Sequence, residues 1–295
     1  MKKISMVFIL CLYATTAFAK VNVVATLPFI GSLAKEIGGD KIELSVLVKP
    51  KQDPHYVEAK PSMILAARNA DILMYNGLDL EVGYLPLIVS SSRTPGIQPG
   101  EKGNLDCSRY ITPIDKLTSA DRSMGDVHPL GNPHYLYSPK NIIHVAEGIT
   151  EAFSSVDSGN ADFYKANLAA FKETFNKKQA EWSRRQLKGK RFITHHTMFS
   201  YLAAEFGFQI IGFIEPKPGI PPSAGHIEGL IEAMKRERPD AVIITPDAGK
   251  KEAEFLSQKT GVKNILLPRD VGSTTATKDW FMLMDEILSL LEQGG

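Results

Sequence analysis

Val21 to Leu27 is a short β-branched run, and apolar positions then recur at Ile30, Leu33, Ala34 and Ile37 before Gly38-Gly39. The change from a run to 3.6-residue spacing predicts a buried strand followed by a helix. Ile42 to Val48 reads as a second strand. Pro61 to Ala70 reads as a helix with proline near its start, and Ile72 to Tyr75 as a third strand stopped by Asn76-Gly77. This β-α-β-α-β alternation favours a parallel sheet covered by helices. Ser90 to Asn104 is rich in Ser, Pro and Gly and reads as a loop. The chain then stays irregular up to Pro139, a length that in a compact domain points to a functional or mobile segment.

Residues 160–188 differ. Asn160 to Leu187 has no Pro or Gly, and Phe163, Phe171, Phe175 and Trp182 fall near one helical face, with Gly189 placed to end it. The stretch predicts a helix of roughly 40 Å, long enough to join two domains stiffly. Beyond it the rhythm restarts. Strands are expected at Arg191 to Thr194, Gln209 to Ile214, Ala241 to Thr245 and Asn264 to Leu267. Helices are expected at Met198 to Phe206, Gly225 to Arg236, Lys250 to Thr260 and Lys278 to Leu291. Leu33-Ala34-Lys35-Glu36-Ile37-Gly38 is echoed by Leu202-Ala203-Ala204-Glu205-Phe206-Gly207, each phrase ending the first helix of its half. The expected architecture is α/β: two similar lobes, each a parallel sheet flanked by helices, joined by one long helix. The N-terminal lobe spans 20–159 and the C-terminal lobe 189–295. Ligands of such sheets bind beyond the carboxyl ends of the strands, so facing lobes place a site in the cleft between them.

Composition refines this picture at three points. Lys2 and Lys3, the apolar run Met6 to Leu12 and Ala17-Phe18-Ala19 have the form of a cleavable signal peptide over residues 1–19, which implies export to the periplasm. Cys11 follows Leu10 rather than a small residue, which argues against a lipid anchor, and no later stretch is long enough to span a bilayer. With 34 basic and 33 acidic residues the net charge is +1, so no basic excess points to nucleic acid. Outside the leader Cys107 is the single cysteine, so no internal disulfide is expected.

Seven histidines carry the candidate chemistry. His55 sits in Asp53-Pro54-His55-Tyr56-Val57-Glu58, at a corner that the Asp-Pro step forces. Glu58 is a candidate to orient its ring. His134 follows Pro133 in an irregular loop that also holds His128-Pro129. His195 and His196 follow a predicted strand, where alternation points one into the cleft and one away. His144 and His226 fall in helical patterns and read as ordinary. Histidines at cleft edges of both lobes suit zinc or another borderline transition metal, and suit calcium or magnesium badly.

These blocks resemble the solute-binding proteins of bacterial ABC importers for zinc or manganese, the class whose lobes are joined by one rigid helix. The resemblance runs through Asp53-Pro54-His55 to Glu58, Pro61-Ser62, Asn69-Ala70-Asp71, Asn76-Gly77-Leu78 and Glu81. It continues through Asn132-Pro133-His134 with Pro139, then His196-Thr197-Met198-Phe199 with Tyr201 and Gly207. It implies that His55, His134 and His196 are metal ligands. It also implies a fourth carboxylate ligand after the last strand, where the family's Asp position falls on Pro268 and Asp270 lies two residues on. Asp247 is a rival, and a water a third option. What His128, His195 and Glu215 do is left open. Three nitrogens favour Zn²⁺ over Mn²⁺. The function implied is periplasmic capture of a divalent metal by a non-enzymatic monomer and its delivery to an inner-membrane ABC permease. The alternatives are an exported zinc-dependent hydrolase, or a metal-binding adhesin or chaperone of the same fold. No His-Glu-x-x-His spacing or nucleophile elbow supports the hydrolase.

Overall fold

The computed structural model describes residues 20–117 and 128–294. The expected signal peptide lies outside the described residues. Two four-stranded parallel sheets form the molecule. In the first, β1 (Val21–Ala25) pairs with β2 (Ile42–Val46) and β3 (Ile72–Tyr75), and β3 pairs with β4 (Asn104–Asp106). In the second, β5 (Arg191–Thr194) lies between β6 (Gln209–Phe213) and β7 (Ala241–Ile244), and β7 pairs with β8 (Asn264–Leu266). The strand orders, β2-β1-β3-β4 and β6-β5-β7-β8, are the same arrangement repeated. The shared sequence phrase has a shared role. Helix α1 (Pro28–Gly38) ends against Gly39 at φ +55°, and α6 (Ser200–Phe206) ends against Gly207 at φ +76°, a backbone region that favours glycine.

Helices α2 (Pro61–Arg68) and α3 (Leu85–Ser92) complete the first crossovers. Strand β4 falls where the sequence reads as loop. It has only three residues, too few to show a period, and Gly103 admits it. A Cβ there would sit 2.2 Å from the Asp71 carbonyl oxygen and 2.6 Å from that of Gly96. Helix α4 (Pro139–Val156) begins at Ser138, whose hydroxyl accepts the Asn141 N–H.

The long helix α5 runs Ala161–Trp182, six residues short of the expected end at 188. Tertiary contacts end it. Trp182 is buried and donates its indole N–H to Asp285 at 2.7 Å. Arg185 and the Gln186 N–H then both bind the Glu292 carboxylate, which draws the chain off the helical path and lets Leu187 turn into the core. Helix α5 packs on α1 and α4 and also on the last helix, α9 (Trp280–Gln293). Although α9 follows the second sheet in sequence, it touches α1, and Trp280 donates its indole N–H to the Leu136 carbonyl at 2.8 Å. One continuous apolar core therefore runs through both halves. A smaller core closes the far face of the second sheet beneath α7 (Ala224–Glu237) and α8 (Lys250–Thr260). No helix among the described residues is long and apolar enough to cross a membrane.

Candidate metal centre

Each site residue leaves a strand end or the loop before α4. His55 follows β2, His195 and His196 follow β5, Glu215 follows β6, Asp247 follows β7, and Arg269 and Asp270 follow β8. The carboxyl ends of the two sheets meet around a cavity of about 520 Å³. The halves are tied at this rim. Asn132 donates to the Thr197 carbonyl at 2.9 Å, the Tyr201 hydroxyl donates to the Asn132 carbonyl at 2.8 Å, and Tyr137 donates to the Arg269 carbonyl at 2.5 Å.

His55, His134 and His196 come together as the resemblance implies. Ring centroids are 5.4 Å apart for His55 and His134, 5.1 Å for His134 and His196, and 6.1 Å for His55 and His196. A fourth ring joins them. His128 lies 5.2 Å from His55 by centroids, with the two Nε2 atoms 3.1 Å apart. His134 and His196 also face each other through Nε2, at 3.4 Å.

The second nitrogen of each ring decides where the lone pairs point. His55 Nδ1 lies 2.6 Å from Asp53 Oδ1, and His128 Nδ1 lies 3.0 Å from the Leu78 carbonyl oxygen. Both oxygens only accept, so each Nδ1 carries a proton, and in the neutral ring each Nε2 is then the lone pair. His134 Nδ1 lies 2.8 Å from Asn132 Oδ1. The Asn132 amide nitrogen donates to Asp115 and to Thr197, so its oxygen is the atom facing His134 and the same tautomer follows. Neutral rings then set two acceptors against each other across 3.1 Å, an arrangement that a cation between them relieves. A tetrahedron of nitrogens about 2.0–2.1 Å from zinc has edges of about 3.3–3.4 Å, and the His55–His128 and His134–His196 pairs are each close to the length of one such edge.

Electrostatics keep His134 and His196 neutral. Burial, then the neighbouring His196 and His55, holds the His134 pKa well below the ordinary histidine value. Burial, His55 and Arg269 push His196 down to about 3. Burial raises the Asp53 carboxyl, but the hydrogen bond from His55 and the Arg269 charge more than reverse it and leave it below the usual carboxylate range. Asp53, not the exposed Glu58, is therefore the carboxylate that orients His55.

Neither carboxylate candidate for the fourth position faces the rings freely. Asp270 is buried and does not line the large cavity. Its carboxylate takes the N–H groups of Val271 and Phe29, and burial raises its pKa to about 7. Asp247 lines the cavity but is paired with Arg269, whose other nitrogen binds Asp53 at 2.9 Å. A guanidinium thus stands among the acidic groups after the last strand. His195 and His196 both line the cavity, because the chain turns just after β5 and strand alternation no longer applies. His144 pairs with Glu147, and His226 lies against the Phe213 carbonyl oxygen, as ordinary helix residues do.

The loop after β3 holds two of the rings in place. Gly77, Leu78 and Asp79 have φ of +80°, +53° and +62°, and the last two are strained for residues with a side chain. Glu81 fixes the turn by accepting from the Thr26 hydroxyl and from the N–H groups of Asn76 and Gly77. The turn then presents the Leu78 carbonyl to His128. Asn76 binds the Pro133 carbonyl, and Tyr135 binds the Asn76 carbonyl, on either side of His134. Burial raises the Glu81 pKa from 4.5 to about 7. Protonation is thus favoured by folding, and the stability this gives is complete below about pH 4.5 and is lost as pH rises through 7. In thermal melts from pH 5 to 8, Glu81→Gln is expected to flatten the profile relative to wild type. Parallel profiles for the two proteins would contradict this.

The histidine His128 carries a sequence signal, a His-Pro step close to the second block, but the motif does not reveal its direction. Arg269 is invisible to a search for metal donors because it is a cation. The comparisons with known proteins agree with the geometry. Residues 23–294 match the model of the family described as zinc-uptake complex component A periplasmic, ZnuA. The chain is 24% identical over 310 residues to the zinc-binding lipoprotein AdcA of Streptococcus pneumoniae R6, covering 99% of this chain and 61% of that protein. It therefore spans less than two thirds of that relative's length. It is 25% identical over 263 residues to the manganese ABC transporter substrate-binding lipoprotein PsaA of S. pneumoniae TIGR4, covering 84% of this chain and 79% of the other. A crystal structure of ZnuA superimposes with a TM-score of 0.78 at 24% identity, covering 93% of this chain and 99% of that one, a likeness that establishes the shared fold. With the family model spanning nearly the whole chain, this protein belongs to the ZnuA family.

Proposed function

We propose that the protein captures a divalent transition metal, zinc in preference to manganese, outside the cytoplasmic membrane and hands it to an ABC-type permease. Proteins of the family are transport components rather than enzymes, so the hydrolase alternative gains no support. The zinc-binding and manganese-transport names of two relatives bracket the metal, and the donor set leans to zinc. The observation that carries the reading is the crowding of four imidazoles from both halves at one rim, with His134 and His196 Nε2 3.4 Å apart across the halves and three of the rings held through Nδ1 by oxygen acceptors. His55, His128, His134 and His196 are the proposed ligands. All-nitrogen donation suits zinc and offers manganese none of the oxygens it prefers. Because the lobes share a core, release is expected to involve loop shifts and small lobe movements rather than a wide hinge.

The fourth ligand is open to direct test. Calorimetric zinc titration of metal-stripped protein is expected to give one tight equivalent. His128→Ala is expected to weaken it by about 10²–10³-fold, the share of one ligand in about 10–16 kcal/mol of zinc binding. Asp270→Asn is expected to leave it within about threefold, since affinity changes that small are under about 1 kcal/mol. The reverse pattern would return the fourth position to the carboxylate.

A further inference from the structure

Glu215 faces two imidazoles on the more open side of the cavity. Its Oε1 lies 3.2 Å from His195 Nε2 and its Oε2 lies 4.0 Å from His196 Nδ1. One donor atom from each of His195, His196 and Glu215 lies within 4.8 Å of the others. His196 is therefore shared, with Nε2 toward His134 and Nδ1 toward Glu215. The outer group is also more exposed, the His195 and Glu215 side chains at 17% and 14% against 9% for His196. Gly249, at φ +79°, makes room for the His195 ring, since a Cβ there would come within 2.9 Å of Nδ1.

We propose that His195, Glu215 and His196 form a second, outer site for a borderline divalent cation such as zinc. There the ion halts before His196 passes it inward. Two imidazole nitrogens and one carboxylate are a ligand set that zinc accepts with a position left for water, while calcium and magnesium seek oxygen. Three protein ligands and partial exposure make this site weaker and faster to exchange than four imidazoles, two of them buried. Because His196 serves both sites, the outer ion has a short path to the inner one, and tight binding stays at one equivalent. This inference rests on the inner-site reading.

The test is a zinc titration in which the inner site is removed. His55→Ala/His134→Ala is expected to bind one zinc at the outer site, at least about 10²-fold more weakly than wild type, since three partly exposed ligands replace the four of the inner site. Adding Glu215→Gln or His195→Ala is expected to abolish that equivalent. If the alanine pair does not fold, His55→Gln/His134→Gln carries the same expectation, with circular dichroism and a cooperative melt as the check. A folded double variant that binds no zinc, or one whose residual binding ignores Glu215→Gln, overturns the outer site. Failure of the inner-site reading shows separately, as wild-type protein with no tight equivalent.

Discussion

Replacing His134 with alanine is expected to lower zinc affinity by about 10²–10³-fold while the protein stays folded. Zinc held by four protein ligands gains about 10–16 kcal/mol in favourable cases, so each ligand carries about 2.5–4 kcal/mol. His134 is also the ring whose loss offers least compensation. It is 5% exposed, its centroid lies within 5.4 Å of both His55 and His196, and its Nδ1 is held by Asn132. Water could fill the vacated position, but it is a poorer donor than imidazole and would occupy a space walled by Asn132 and Pro133. Asn132→Ala is expected to act more gently, about 10–100-fold, because it removes only the group that orients the ring. Calorimetry on both variants checks the order. Equal affinity for wild type and His134→Ala would show that the ring is not a ligand.

The second large effect is on the frame. Trp280→Ala is expected to cost about 3–5 kcal/mol, the range for truncating a large buried aromatic side chain. Trp280 is 1% exposed and stacks on Phe175 at 6.4 Å between centroids. It meets Trp182 edge-on at 5.7 Å and donates to the Leu136 carbonyl two residues beyond His134. The same side chain thus packs α9 onto α5 and supports the loop that carries His134, a proposed ligand. A loss of that size lowers the melting temperature by order 10 °C in a protein of this size. Urea unfolding followed by circular dichroism reads the stability directly. A change under about 1 kcal/mol would mean that the aromatic cluster does not bind the two halves together.

Much of the fold was legible in the chain because its strands are short runs rich in β-branched and aliphatic residues and the first helix of each half ends on glycine. The expected range Arg191 to Thr194 is β5 and Lys250 to Thr260 is α8, each to the residue. The elements that escaped are those set by tertiary contact. Strand β4 exists because Gly103 lets it approach β3, and α5 stops at Trp182 because Glu292 captures the next residues. The site divides in the same way. His55, His134 and His196 stand in motifs whose prolines and turns announce them. His128 is oriented by a carbonyl that the strained turn at Leu78 presents, a direction no local pattern encodes. Asp270 attracted attention as a carboxylate in the expected stretch, yet its oxygens serve backbone N–H groups, and Arg269 beside it pairs with Asp53 and Asp247.

The central claim is that imidazoles from both halves surround one ion. X-ray absorption at the zinc edge on the one-to-one complex tests it most directly. The expected result is a shell of four nitrogens at about 2.0–2.1 Å with outer-shell scattering from four imidazole rings. A shell with two or fewer imidazoles, filled out by carboxylate or water oxygens, would contradict it.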